Sequence, residues 1–127
     1  MTFSKEIMIT RETLDDFFSS TRELKRSGKA KFDIDGECRW SFFFTDTDSK
    51  RLVDLGKMME DSGYEYVGLL EPTPEDDDQQ TIFMRCDRLE KHTVDTLFKR
   101  NSELYAVAAE QGVASYDGMD VGHVDGP

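Results

Sequence analysis

The sequence predicts an α+β fold, a βαββαβ split sandwich behind one extra N-terminal helix. Three observations predict it. Apolar residues recur at helical spacing in three segments. Short runs rich in aromatic and β-branched residues lie between and after those segments. From Arg39 onward the order is strand, helix, strand, strand, helix, strand. At 127 residues, 37% hydrophobic and 34% charged, the chain has the size of one domain with a modest core.

The first helix is expected to start after Thr10, an N-cap type, and to carry Leu14, Phe17, Phe18 and Leu24 on one stripe until Ser27 and Gly28 end it. Lys29 to Glu37 reads as a connection. The aromatic run Arg39 to Thr45 reads as the first strand, with Trp40, Phe42 and Phe44 on one face and Ser41, Phe43 and Thr45 on the other. Asp46 to Ser49 supplies capping side chains for a second helix, whose stripe of Leu52, Leu55 and Met59 stops at Ser62 and Gly63. Tyr64 to Leu70 is a strand. The run EPTPEDDDQQ breaks regular structure with two prolines and a block of acids, and TIFMRCD resumes it, which makes a hairpin. A third helix runs from about Thr93 to Gln111 on Val94, Leu97, Phe98, Leu104, Tyr105 and Ala108, and Gly112 can take the left-handed closing conformation. A last strand follows through Ala114 to Met119.

Two right-handed crossovers in this order give a ferredoxin-like sandwich with a four-stranded antiparallel sheet ordered 4-1-3-2. Both crossover helices then cover one face of the sheet, leaving the other to solvent, the first helix or a partner. The expected division is residues 1–38 as helix and linker packed on the domain, 39–119 as the sandwich and 120–127 as a short, loosely held tail. Phe17 and Phe18 need cover, which is why the first helix is expected to pack.

The net charge is −11, from 27 acidic and 16 basic residues, and the basic ones concentrate toward the N-terminus. Nucleic acid and anionic membranes are bound by lysines and arginines that displace counterions, so the composition argues against both. A basic protein surface is the more natural partner. Cys38 and Cys86 sit in or beside apolar stretches with no CxxC spacing, which fits a reducing compartment and no zinc site. The start of the chain lacks the pattern of a secretion signal and no stretch approaches a membrane span, so the expected location is cytoplasmic.

Catalytic chemistry finds little purchase. His92 opens a helix, where surface or capping roles are usual, and His123 lies in the tail. No Ser-His-Asp arrangement, phosphate loop or metal-binding helix pair is present, and no cofactor is expected. The open sheet face of such a sandwich can stack RNA bases, but the third strand here carries one arginine, one phenylalanine and an acid in a negative field. The acidic block Glu71, Glu75, Asp76, Asp77 and Asp78 is the candidate protein-binding element, able to dock an arginine-rich segment; a solvated loop that blocks edge pairing is the other account.

Three segments carry a resemblance: SGYEYVGLLEP at Ser62 to Pro72, MRCDRLE at Met84 to Glu90, and AAEQGVASYDGM at Ala108 to Met119. In order and spacing, over roughly residues 39 to 119, the chain resembles the regulator of ribonuclease activity B family, protein inhibitors of ribonuclease E. The resemblance implies a non-enzymatic ferredoxin-like domain that binds the ribonuclease and alters RNA decay. It also marks Cys86, Asp87, Tyr116, Asp117 and Gly118 as motif residues. Asp-Gly is a common turn or bulge pair and a tyrosine at a strand end is commonly half buried, so these read as structural first. Met119 stands where the family motif usually has tryptophan, and only Asp120 and Asp125 follow where inhibitor-type members carry an acidic tail. The alternative to a protein-binding regulator is a small-molecule sensor domain of the same fold.

Overall fold

Helix and strand boundaries follow from local capping chemistry. The computed structural model describes residues 8–70 and 81–125. Helix α1, Arg11–Arg26, opens where the Thr10 hydroxyl accepts the Thr13 N–H at 3.1 Å. Strand β1, Cys38–Asp46, follows a linker, and helix α2, Ser49–Asp61, starts where the Asp48 carboxylate accepts the N–H groups of Lys50 and Arg51. Strands β2, Glu65–Leu70, and β3, Ile82–Glu90, form the hairpin. Helix α3, Val94–Glu110, has a capping box between Thr93 and Thr96, and strand β4, Ser115–Gly122, ends the fold.

The sheet is antiparallel throughout, ordered β2-β3-β1-β4, which is the expected 4-1-3-2 read from the other edge. Alternation in β1 buries Trp40, Phe42 and Phe44 completely. Trp40 packs against Phe17 and Phe18 of α1, with ring centres 6.2 Å away in each case; Phe42 meets Tyr64, and Phe44 meets Tyr116. Tyr116 in turn stands edge-on to Tyr105 of α3 and donates its hydroxyl proton to Asn101 Oδ1 at 2.6 Å. All three helices therefore share one face. Helix α1 contributes buried Leu14, Phe18 and Thr21, spaced one and two turns apart, and packs beside α3.

The linker is held rather than loose. Gly28 takes φ +83°, and the N–H groups of Lys29 and Ala30 both return to the Leu24 carbonyl, closing α1 with a left-handed cap. Arg22 then grips Asp35 through two hydrogen bonds of 2.9 and 2.8 Å, and Ile34 is buried beneath.

Three details depart from the sequence expectation. β4 runs on to Gly122, because Met119 and Val121 continue the alternation opposite Phe42 and Trp40, so residues 120–122 are strand instead of tail. Leu24, expected on the core stripe of α1, is 44% exposed, since the buried positions stop at Thr21 and the chain turns away. His92, expected in a surface or capping role, is buried edge-on to Trp40, and its ring nitrogens bond Thr96 and Glu90.

Gly56 on α2 lies directly over Tyr66 of β2, and an added Cβ would come within 2.5 Å of the ring. Alanine normally gains about 1 kcal/mol over glycine inside a helix. Here overpacking is expected to reverse the sign, so that Gly56→Ala loses about 1–2 kcal/mol in urea unfolding. A gain in stability would show that the ring moves freely.

Candidate protein-interaction surface

With the helices gathered on one face, the other face of the sheet carries no helix, and the linker after α1 borders one part of it. Register assigns to it Arg39, Ser41, Phe43 and Thr45 of β1, alongside Leu89, Asp87, Arg85 and Phe83 of β3. At its centre is Asp87, whose side chain is 2% exposed. Its carboxylate accepts Arg85 Nε at 2.8 Å and Arg85 Nη2 at 2.9 Å, and Arg39 Nη1 at 3.2 Å. Arg39 Nη1 also donates to Glu65 of β2 at 2.9 Å, and its Nε donates to the Val124 carbonyl at 3.2 Å. Burial alone would raise the Asp87 carboxyl, but Arg85, the Ser41 hydroxyl and Arg39 together outweigh it and hold it below its ordinary range. The result is a pair of guanidinium groups held on one carboxylate, with half-buried Phe43 and Phe83 farther along the same face. Arginine and aromatic side chains held in place are the residue types that carry binding energy at protein interfaces. Exposed Val67 and Leu70 of β2 and Leu89 of β3 extend the apolar part.

The motif residues separate into two environments. Asp87 faces the open side. Cys86, its neighbour, points into the core, where burial pushes its thiol up to about 12 and Met84 Sδ lies 3.3 Å away. Tyr116 is buried under the helices, as described above. Asp117 and Gly118 form an irregularity in β4, where the pairing with β1 shifts between Phe43 and Phe44; Gly118 takes φ +116°, a conformation that disfavours any residue with a Cβ. Thus Asp87 and Tyr116 do not meet. The acidic block Glu71, Glu75, Asp76, Asp77 and Asp78 lies outside the described residues; the chain leaves the sheet at Leu70 and re-enters it at Ile82.

Two further carboxylates hold the sandwich together. Asp46 accepts the N–H of Asp48 and of Ala114, each at 2.9 Å, and so ties the end of β1 to the start of β4. Glu90, in β3, gathers Arg100, Arg88 and His92 around one largely buried carboxylate. In both, burial pushes the carboxyl up and the bonded partners more than reverse it, leaving a net depression, as at Asp87. A depressed folded-state pKa contributes stability above the unfolded value that is lost as pH falls toward the folded one. The melting temperature is therefore expected to hold from neutrality down to about pH 5 and to drop below about pH 4, where free Asp and Glu titrate. In Asp87→Asn that acid limb should be shallower; an unchanged limb would remove Asp87 from the effect.

Sequence reading had singled out Asp87 but missed Arg39, Ser41 and Arg85 as its partners. Alternation outward from Phe43 and from Cys86 puts all of them on the open face, so the signal was present; the register that joins the two strands was not.

Also at this end of the sheet, α1, the linker and the ends of β1 and β4 border a half-open cleft of about 620 Å³, walled in part by Phe17, Leu24, Phe32 and Phe43. Among the described residues no group of three or more His, Cys, Asp or Glu side chains is placed to hold a metal ion, and no helix is long and apolar enough to cross a membrane.

A helical layer on one side and a sheet face bearing paired arginines on the other make a small α+β sandwich. The chain belongs to the family described as regulator of ribonuclease activity B, whose family model matches residues 19–121. The match thus takes in the second half of α1 as well as the whole sandwich. No curated protein matches the chain.

Proposed function

We propose that this chain is a non-enzymatic, cytoplasmic regulator that binds a ribonuclease, ribonuclease E or another with a basic segment, and changes its cutting of RNA. The observation that carries this reading is the family match over residues 19–121 to regulators of ribonuclease activity. The net charge of −11 supports a basic protein partner over nucleic acid. Contact is made by the acidic run between β2 and β3 together with the adjoining open sheet face, where Leu70 and Phe83 stand opposite each other at the hairpin end. Basic segments are steered in by the acids and then anchored on the aromatic and arginine side chains.

A pull-down of ribonuclease E by the purified protein tests this. Reversing Asp76, Asp77 and Asp78 to lysine is expected to weaken recovery at least tenfold and to flatten its salt dependence. Unchanged recovery would take the acidic run out of the interface, and no recovery by the unmodified protein would remove the named partner.

A second reading, a small-molecule-binding sensor, has the cleft beside α1 in its favour. A rise in melting temperature with one member of a metabolite panel would support it.

A further inference from the structure

We propose that the cleft between the α1 linker and the end of the sheet is a binding site for a small amphiphilic anion, a planar apolar body bearing a phosphate, sulfate or carboxylate. This rests on the sensor reading; the cleft shares Arg39, Phe43 and Arg85 with the sheet face assigned above to the ribonuclease. Three observations support it.

The first is charge. In a chain of net charge −11, the cleft lining contains Lys29, Lys31, Arg39 and Arg85 against one acid, Asp120. Arg39 and Arg85 are compensated by Asp87 and Glu65, so the floor is polar but close to neutral and the uncompensated positive charge comes from the two lysines. Lys29 and Lys31 are exposed and make no ion pair among the described residues, which leaves both ammonium groups available to an anion.

The second is the wall opposite. Phe17, Phe32 and Phe43 are each only partly buried, and Leu24 is 44% exposed although it belongs to the otherwise apolar side of α1. Aromatic faces of this kind favour a flat apolar partner. The volume of about 620 Å³ falls within the range of small-ligand sites.

The third is rigidity. The α1 cap fixes the backbone of Lys29 and Ala30, and the Arg22–Asp35 clamp with buried Ile34 fixes the rest of the linker. The cationic rim is thus presented in place, which lowers the ordering cost of binding.

The test is an amide NMR titration of the full chain with 1-naphthyl phosphate, with 1-naphthol and inorganic phosphate as separate arms. At an ordinary efficiency for about 15 non-hydrogen atoms, Kd should be on the order of 0.5 mM. The shifts should centre on Leu24, Ala30, Phe43 and Val121, and each separate arm should bind at least about fivefold more weakly. Lys29→Ala combined with Lys31→Ala should weaken naphthyl phosphate about tenfold with the melting temperature unchanged, whereas Lys57→Ala with Lys99→Ala should not. Scattered or absent shifts at 5 mM, or naphthol binding as well as its phosphate, would overturn the proposal. So would a saturable Glu-rich peptide in the cleft with no response to naphthyl phosphate, which would assign it to a protein segment. If a metabolite stabilises the protein while naphthyl phosphate does not bind, the sensor reading stands and the anion class falls.

Discussion

Trp40→Ala is expected to cost about 3–5 kcal/mol, the largest effect of any single substitution considered, and to leave much of the chain unfolded near 37 °C. Trp40 is fully buried in the central strand and is the point where three elements meet: Phe17 and Phe18 of α1, its own strand β1, and His92 at the entry to α3. Its Nε1–H has no hydrogen-bond partner among the described residues, so the hold of this side chain is packing, and truncation removes contacts and opens a cavity in one step. Urea unfolding of the purified variant reads the loss. Phe18→Ala should cost about 3 kcal/mol by the same route. Because the two rings touch, the double variant should lose less than the sum of the two. A loss under about 1.5 kcal/mol for Trp40→Ala would show that α1 does not close the core over β1.

Asp87→Ala should cost about 3 kcal/mol. Removing one member of a buried charge pair typically costs about 3–5 kcal/mol, because the partner is left charged and unpaired. The low end applies here, since the Arg39 and Arg85 side chains keep 22% and 27% exposure and can turn toward water. The substitution also frees both guanidinium groups, so it should loosen the open face as well as destabilise the domain. Asp87→Asn keeps the shape and one acceptor, and should fall between the two. If Asp87→Ala unfolds at the same urea concentration as the unmodified protein, the cluster is not a structural centre of that face.

The architecture was legible because each signal for it is local. Thr10, Asp48 and Thr93 announce helix starts by residue type and perform that role in the structure. Alternation in Arg39 to Thr45 separates the two faces of β1 correctly, and strand and helix order then leaves few topologies. What was not legible depends on pairing between distant segments. Nothing local says that Asp87 faces Ser41, that Asp46 reaches Ala114, or that β4 continues past Met119, where the irregularity at Asp117 and Gly118 disguises the alternation. Leu24 has the right spacing for the core, yet the cap at Gly28 turns the chain before anything covers it. The cleft comes from that same turn and has no signature in the sequence.

The reading of this chain as a protein-binding regulator is tested most directly by calorimetric titration of purified ribonuclease E with the purified protein, with cleavage of a defined RNA followed in parallel. The account predicts saturable binding that weakens as salt is raised, a change in cleavage that saturates at the same protein concentration, and no binding of the protein to the RNA alone. Saturable binding to the RNA with no heat on mixing with the ribonuclease would contradict it.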